Sequence, residues 1–269
     1  VYKRQYLINM DRKTKIIATV GPSLSSESKI KKIIDAGANV LRINFSHGTL
    51  EDHENVISWA RKSNKQVAIM QDIQGPKIRT GISSKNTFLE KSKNVTLTNI
   101  ETESNNDIVF INYENLLRDV NVDDRVFIDD GQIVLKVVEK ENDKLEALIL
   151  IGGELRDNQG VAFPDSNLSV SAITEKDKEH LKFGSEHDVD FVAVSFVRNA
   201  SDINIVKEII PKDIKVIAKI ELKTALENID EILDVADGVM VARGDLGVQL
   251  PLEQVPFVQK QILDAANKR

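Results

Sequence analysis

Apolar residues recur along the chain in two alternating patterns, short β-branched runs and longer stretches with a helical period. Residues 214–220 form an apolar run, residues 225–233 carry apolar side chains at the spacing of one helix face, and residues 238–242 form a second run. This order predicts a strand, a helix and a second strand joined as a β–α–β unit. Strands in such a unit are parallel, so both C-terminal ends lie at the same edge of a sheet.

Six strand–helix repeats of this kind run through the chain, and each predicted strand ends in polar residues. They begin at Lys15, Asn39, Gln66, Asp190, Ile214 and Gly238. Polar residues at every strand end are typical of a (β/α)8 TIM barrel, an α/β fold whose sites lie at the C-terminal face. A doubly wound sheet would gather its ligand groups at one switch point, and no GxGxxG fingerprint follows any strand. Because six repeats are fewer than eight, we expect the barrel to be incomplete here.

Residues 81–164 interrupt this alternation. Short β-rich runs are separated by Asp, Asn and Gly turns, with no helical period between them. The pattern predicts a small all-β domain inserted after the third strand of a discontinuous barrel domain formed by residues 10–80 and 165–269. Residues 1–9 fit no element, and we expect them to be a non-native or disordered leader.

Composition narrows the classes of function. The 269 residues include 36 basic and 42 acidic side chains without a block of like charge, which argues against a nucleic-acid or membrane surface. Cysteine is absent, so neither disulfides nor thiolate metal sites are available. No apolar run reaches the roughly 18 residues that a membrane span needs. We therefore expect a cytoplasmic protein.

Two successive predicted strands each bring a carboxylate to the same edge. Glu221 follows the first strand, Asp245 follows the second, and Lys219 lies two positions before Glu221. Two carboxylates at one edge suit a hard cation such as Mg²⁺, which takes one or two protein carboxylates and fills its other positions with water and substrate oxygens. At a single strand end, charged residues would be interpreted as ordinary loop residues. Their repetition at several strand ends favours a functional site.

The second and third predicted strands also end in polar groups. Arg42, Asn44 and Ser46 alternate onto one face, where a core strand would carry apolar residues. His47, which follows them, is by itself typical of a loop histidine. The third strand leads into the segment DIQGPKIR at residues 72–79, whose turn residues and three charges lie at the same edge.

Six segments resemble motifs of the pyruvate kinase family, in the family's order and at its spacing. They are TKIIATVGPS, NVLRINFSHG, QDIQGPKIRTG, DFVAVSFVR, IAKIE and VMVARGDLG, and the resemblance covers Lys13 to Arg269. It implies transfer of the phosphoryl group of phosphoenolpyruvate to ADP, which gives pyruvate and ATP in the last step of glycolysis. It also implies that the inserted residues 81–164 form a β-barrel lid domain. An Mg²⁺ or Mn²⁺ cofactor and a cytoplasmic homotetramer are implied as well.

The resemblance implies roles for individual residues of this chain. Lys219 resembles the lysine that neutralises the phosphoryl group in flight, and Arg42 and Arg79 resemble the arginines that hold phosphates. Glu221 and Asp245 resemble the ligands of the divalent metal. The other residues resemble the substrate pocket (Ser195, Phe196, Gly244 and Asp245), the monovalent-cation site (Asn44, Ser46, Asp72 and the Ile73 carbonyl) and the nucleotide contacts (Pro22, Asn44, His47 and Arg79).

Three departures from the family pattern change what is expected. Lys77 lies where many members carry glutamate, and Ile73 lies where they carry threonine, so we expect an internal ammonium group to replace K⁺. Gln159 in the lid lies where a lysine that contacts the nucleotide is expected. The family's seventh strand, with the threonine linked to protonation of the enolpyruvate, its eighth strand and its regulatory domain have no counterpart in these residues.

Two alternative functions stay open. A metal-dependent aldolase or lyase on the same barrel also polarises a pyruvate-like enolate, although the inserted lid and the arginines placed for phosphates favour a kinase. The second alternative is that the chain is an inactive truncated fragment that binds only metal and phosphoenolpyruvate. ADP-dependent formation of pyruvate separates the first alternative from a kinase, and a broad thermal unfolding curve would support the second.

Overall fold

The computed structural model of the chain describes residues 13–63 and 65–269. The predicted leader, residues 1–9, lies outside the described residues. Among the helices of the described part, none is both long and apolar enough to cross a membrane.

Six parallel strands form one sheet, in the spatial order in which they follow one another along the chain. With strands numbered in chain order, they are β1 (Ile17–Val20), β2 (Val40–Asn44), β3 (Ala68–Asp72), β12 (Phe191–Val194), β13 (Lys215–Ile220) and β14 (Gly238–Val241). The six predicted repeats are therefore confirmed, and the curled sheet has the architecture of an incomplete (β/α)8 barrel. All six C-terminal ends lie at one face, which is where the predicted polar residues are found.

Helices cover the outside of this sheet and bury its apolar face. They are α1 (Glu27–Asp35), α2 (Leu50–Arg61), α4 (Glu175–Glu186), α5 (Ala200–Ile209), α6 (Lys223–Glu227), α7 (Ile229–Val235), α8 (Arg243–Gln249) and α9 (Val255–Ala266), and the remaining helix, α3 (Leu116–Asp119), belongs to the lid. In helix α1, Ile30 and Ile34, four residues apart, form the buried face, as the helical period of apolar residues predicts. Helices α2 and α4 begin with complete capping boxes, in which Thr49 pairs with Asp52 and Thr174 with Asp177.

The lid is a separate sheet structure with its own apolar core. It contains β4 (Phe88–Leu89), β5 (Asn94–Thr98), β6 (Ile108–Phe110), β7 (Arg125–Ile128), β8 (Ile133–Lys140), β9 (Leu145–Ile151), β10 (Gly153–Glu154) and β11 (Val161–Ala162). Six of these strands form a sheet in the order β11-β7-β8-β9-β5-β6, and β4 pairs with β10. The β-rich character was predicted, whereas helix α3 was not. The boundaries at residues 81 and 164 stay predictions.

The structure corrects one predicted helix. The apolar pattern of residues 225–233 predicts a single helix, but the chain forms α6 and α7 with Asn228 between them. The Asn228 side chain donates a hydrogen bond to the Arg198 carbonyl at 2.9 Å. Asparagine has a low helix propensity, and this bond to another loop holds Asn228 at the point where the helix is interrupted.

Candidate active site

Lys219, near the end of β13, lies at the centre of a buried charge cluster. Its ammonium nitrogen lies 2.8 Å from a carboxylate oxygen of Glu221 and 3.2 Å from one of Asp72. Lys219 and Glu221 lie on the same face because side chains two residues apart in a strand point the same way. Asp72 comes from the end of β3, so the cluster joins two strands that are not neighbours in the sheet.

Arg42 on β2 binds the same Asp72 carboxylate. Its Nε donates to Asp72 Oδ2 at 2.6 Å, and its Nη1 donates to Thr19 Oγ1 at 3.0 Å. The Arg42 side chain keeps 24 % of its surface exposed, whereas that of Asp72 keeps 2 %. The guanidinium group is thus fixed by two partners and still partly exposed.

The loop after β12 supplies further polar groups. Lys219 donates a hydrogen bond to Ser195 Oγ at 2.7 Å, and this hydroxyl donates to the Ile73 carbonyl at 2.8 Å. The Phe196 N–H donates to Glu221 at 2.8 Å. Phe196 has a φ of +55°, an uncommon conformation for a bulky residue and one that marks functional sites.

The ionisation of this cluster follows from burial and charge. Burial opposes the charged form of Lys219, but Glu221 and Asp72 outweigh it and raise the pKa of the lysine. Burial also raises the pKa of Glu221, although Lys219 and the Phe196 N–H favour its ionised form. Lys219 therefore carries a secure positive charge, and the negative charge of Glu221 is only partly compensated by the protein.

Asp245 lies in the first turn of α8, at the open side of the cleft. Partial burial raises the pKa of its carboxyl group, Lys219 lowers it, and Asp130 and Asp72 raise it further. Asp245 also raises the pKa of Glu221, which shows that the two carboxylates influence each other. Glu221 and Asp245 follow two neighbouring parallel strands and both line the cavity. That they share one ligand stays a prediction.

A cavity of about 520 Å³ separates the strand ends from the lid. Residues of the barrel side that line it include Phe196, Glu221 and Asp245, and residues of the lid side include Phe127 and Asp130. This volume is within the range of pockets that bind small molecules. Glu221 thus connects the charged cluster to a cleft large enough for a ligand.

Asp130 is a cleft residue that the sequence analysis missed. It lies in the turn between β7 and β8, with a φ of +54°, and it acts electrostatically on Asp245 across the cleft. The Asp-Asp-Gly sequence of residues 129–131 signals a turn with left-handed residues. That signal indicates a hairpin but not which way its tip faces.

Lys77 and Arg79 lie between the barrel and the lid and both line the cavity. The Arg79 guanidinium donates to the Asn158 carbonyl of the lid at 2.5 Å. Burial lowers the pKa of Lys77, and the nearby cations Arg79 and Lys176 lower it further. The structure therefore places Lys77 among other cations and does not pair it with Asp72.

The remaining predicted residues follow β1 and β2 at the same face. Asn44 Oδ1 accepts a hydrogen bond from the Ser46 N–H at 2.9 Å, so this side chain stabilises the turn. His47 is exposed, and Pro22 begins a single 3₁₀ turn. The residues lining the cavity do not include Pro22, Asn44 or His47. Their predicted contacts with a nucleotide stay predictions.

Gln159 has a role inside the lid. It is buried, its Oε1 accepts a hydrogen bond from the Arg156 N–H at 2.8 Å, and its N–H donates to Thr80 Oγ1 at 3.0 Å. These bonds hold the end of the lid where the chain returns toward the barrel. The side chain is thus engaged by the lid itself.

Glu221 and Asp245 fit a divalent cation that also binds substrate. In the described part of the chain, no three His, Cys, Asp or Glu side chains are arranged to hold a metal by themselves. Mg²⁺ uses one or two carboxylates together with substrate oxygens and water, so a pair is sufficient. The incompletely compensated charge of Glu221 favours a cation at this place.

Comparison with known proteins decides the family. A family model described as pyruvate kinase, barrel domain, matches residues 11–269. The chain belongs to the pyruvate kinase family. Pyruvate kinase from Thermotoga maritima is 45% identical over 260 residues, which cover 94% of this chain and 56% of that protein. The pyruvate kinases of Staphylococcus aureus strain MRSA252 and Staphylococcus epidermidis are 44% and 42% identical over 267 residues, and each match covers 96% of this chain and 46% of the relative.

The chain spans about half the length of the curated relatives it matches. The matched pyruvate kinase region contains the whole cluster described above, from Arg42 to Asp245. The resemblance of the six sequence motifs to this family is therefore confirmed.

Proposed function

We propose that the protein to which these residues belong is a pyruvate kinase that transfers the phosphoryl group of phosphoenolpyruvate to ADP. The observation that carries this proposal is the buried ammonium group of Lys219, held by Glu221, Asp72 and Ser195, with Glu221 lining the cavity. Catalysis of phosphoryl transfer is largely positioning and neutralisation of charge on the transferring oxygens. A lysine fixed in this way is preorganised for that task.

In the proposed reaction, the bond between phosphorus and the enol oxygen breaks, and a bond to a terminal ADP oxygen forms. The enolate that remains takes a proton on carbon and becomes pyruvate. Lys219 stabilises the phosphoryl oxygens in flight, and Arg42 and Arg79 bind phosphate oxygens. Arg42 is well suited to this role because Asp72 and Thr19 fix its guanidinium group.

Glu221 and Asp245 would hold the divalent cation, Mg²⁺ or Mn²⁺. Such a cation supplies charge neutralisation at the phosphoryl and carboxylate oxygens of the substrate. The proposal is supported by the partly compensated charge of Glu221 and by the proximity of Asp245. Asp130 adds a third carboxylate from the lid side of the same cleft.

Substrate binding is assigned to Ser195, Phe196, Gly244 and Asp245, which follow β12 and β14. Nucleotide binding is assigned to Pro22, Asn44, His47 and Arg79. Arg79 is the member of this set that lines the cavity, so it is the contact with the best structural support.

The monovalent-cation site of the proposal consists of Asn44, Ser46, Asp72 and the Ile73 carbonyl, with Lys77 as the internal replacement for K⁺. The support for Lys77 is its place in the motif, and the residue lines the cavity near Arg79. We further propose that the protein acts in the last step of glycolysis, in the cytoplasm, as a homotetramer.

The test is the stoichiometry of the reaction, measured with the protein at the full length that its gene encodes. A pyruvate kinase forms pyruvate and ATP in equal amounts from phosphoenolpyruvate, and omission of ADP abolishes both. Pyruvate formation that does not need ADP would favour a metal-dependent lyase or aldolase. Binding of Mn²⁺ and phosphoenolpyruvate without turnover would favour a binding-only protein.

A further inference from the structure

Arg198 binds the segment through which the chain returns from the lid to the barrel. Its Nη1 donates to the carbonyl oxygens of Leu168 at 2.9 Å and Val170 at 2.6 Å. Arg198 follows β12 and lies two residues after Phe196, in the loop that forms the candidate active site. One guanidinium group of the barrel therefore holds two backbone positions of the return segment.

The guanidinium group is itself held in place by Asp202. Arg198 Nη2 lies 3.1 Å from Asp202 Oδ1, and the Arg198 N–H donates to Asp202 Oδ2 at 2.9 Å. Asp202 is buried in the first turn of α5. The Arg198 side chain keeps 21% of its surface exposed. Its bonds to Asp202 fix the guanidinium group independently of its bonds to the return segment.

The residue between the two carbonyls binds the lid instead. Ser169 donates to Asp119 Oδ2 with its N–H at 2.7 Å and with its hydroxyl at 2.6 Å, and Asp119 ends the lid helix α3. The hydroxyl of Tyr113 binds the same carboxylate. Burial opposes ionisation of Asp119, but the bonds from Ser169 and Tyr113 outweigh it and lower the pKa of this carboxyl group.

Three consecutive residues thus alternate between the two parts of the molecule. The carbonyls of Leu168 and Val170 accept bonds from the barrel, while the side chains of both residues pack against the core of the lid. Ser169, between them, binds the lid through a charge-assisted hydrogen-bond pair. A segment held from both sides has little freedom to rotate.

We propose that Arg198 is a positioning residue that fixes the hinge of the lid, through Leu168, Ser169 and Val170, over the cleft that contains Glu221 and Asp245. The kinetic part of this inference rests on the proposed function, whereas the geometric part does not. When a protein is ready to bind for only a fraction of the time, its apparent dissociation constant rises by the inverse of that fraction. Loosening the hinge therefore weakens ligand binding in the cleft. Arg198 itself lines the cavity, whereas Asp119 does not, so Asp119→Ala is the variant that separates this effect from the loss of a direct contact.

The chain offers a clean measurement because it contains no cysteine. Glu139→Cys on the lid strand β8 and Glu208→Cys on the barrel helix α5 place two spin labels at exposed positions. Electron–electron double resonance then gives the distribution of distances between lid and barrel. This readout needs no turnover, so it stays informative if the proposed function is wrong.

Arg61 provides a matched control for Arg198. Its guanidinium group donates to the Val67 carbonyl at 3.2 Å and the Asp188 carbonyl at 2.6 Å, and it pairs with Asp190 at 2.9 Å. It thus binds two carbonyls and one carboxylate, as Arg198 does, but it holds no part of the lid. Arg61→Met therefore removes a comparable set of bonds elsewhere.

Arg198→Met is expected to broaden the distance distribution and shift it to longer distances, while Arg61→Met leaves it as in the parent. In steady-state assays, Arg198→Met is expected to raise the KM values for phosphoenolpyruvate and ADP about tenfold, as a tenfold fall in the competent fraction requires. A variant that merely lost folded protein would lower kcat at unchanged KM. The KM-to-kcat pattern therefore separates hinge loosening from simple destabilisation.

Asp119→Ala tests the same hinge from the lid side and leaves the barrel residues intact. It is expected to broaden the distance distribution and shift it to longer distances. It therefore provides the test if Arg198→Met does not fold. An unchanged distribution in either folded variant would overturn the proposal. Equal broadening in Arg61→Met would overturn it as well, because the effect would then be general loosening.

Discussion

Lys219 and Glu221, two residues apart at the end of one strand, form a buried ion pair with 2.8 Å between nitrogen and oxygen. Asp72 binds the same ammonium group from another strand. Breaking a buried pair leaves an uncompensated charge, which is more costly than the pair is stabilising. The charges of this cluster therefore depend on one another to stay buried, and Glu221 is the member of the three that lines the ligand-sized cavity.

Metal binding should depend on the two carboxylates of the cleft. Glu221→Gln or Asp245→Asn is expected to weaken Mn²⁺ binding about tenfold or more, equivalent to about 1.4 kcal/mol, because each removes one of the two charged ligands. Electron paramagnetic resonance of free Mn²⁺ measures the affinity directly. Glu227→Gln, an exposed glutamate that lines the same cavity, is the control and should leave the affinity unchanged. Unaltered binding in both site variants would contradict the assignment.

Turnover of the full-length protein should not need K⁺. The proposed reason is that Lys77 supplies an internal ammonium group, and Lys77→Glu is expected to create a K⁺ requirement. Initial rates with K⁺ replaced by tetramethylammonium test this. Lys85→Glu makes the same charge change at an exposed position and should leave the rate independent of K⁺. Strong K⁺ activation of the parent protein would refute the interpretation.

Acid should destabilise the protein through two buried histidines. His53 and His180 lie on either side of Phe45, with ring centroids 4.1 and 5.1 Å from it. Burial is the main cause that lowers the pKa of both histidines. At His53, the charge of His180 lowers the pKa further and Asp52 raises it. At His180, Lys176 lowers the pKa further, whereas Asp177 and Glu179 raise it.

The direction of this pH effect follows from proton linkage. Below about pH 6.5 the unfolded chain binds protons at these histidines that the folded chain does not, so stability falls as pH falls, by up to about 1.4 kcal/mol per pH unit for each histidine. Urea denaturation between pH 7.5 and 5 measures it. The double variant His53→Asn, His180→Asn should show a shallower slope, and His47→Gln, at an exposed position, should match the parent. Equal slopes in all three proteins would contradict this account.

Gly75 should be intolerant of a side chain. Its φ is +67°, and an added Cβ would lie 2.8 Å from the Phe196 ring. Gly75→Ala is expected to cost about 1–3 kcal/mol of stability, the usual range for a strained backbone position. It should also weaken Mn²⁺ binding, because Phe196 donates a hydrogen bond to Glu221. Gly21→Ala, where nothing lies within 4 Å of the added atom, is the control in chemical denaturation.

Much of the fold follows from local rules. Period-two and helical patterns predicted six parallel strands, and Thr-x-x-Asp spacing is the sequence signature of the two capping boxes that the structure contains. The candidate cluster was predicted for a similar reason, since parallel strands place Asp72 and Glu221 at one face. Lys219 was expected on the opposite face of its strand end or turned toward the same edge, whereas the structure pairs it with Glu221, as the two-residue spacing between them explains.

What the sequence could not predict depends on contacts between distant segments. The approach of Asp130 to Asp245 requires the orientation of a lid hairpin, and the alternating bonds of Ser169 require the path of an irregular segment. The interruption at Asn228 depends on a carbonyl of another loop. None of these partners lies at a spacing that a periodicity argument can detect.

The measurement that tests the central claim most directly is pyruvate and ATP formation by Lys219→Met in the full-length protein, with Lys215→Met as control. Both lysines belong to β13, but Lys215 is exposed at the opposite end of the strand. If Lys219 neutralises the transferring phosphoryl group, its loss should lower kcat about 10³-fold, the scale for removing one preorganised electrostatic group. Lys215→Met should retain the parent rate. Turnover by Lys219→Met at a rate similar to that of Lys215→Met would contradict the account.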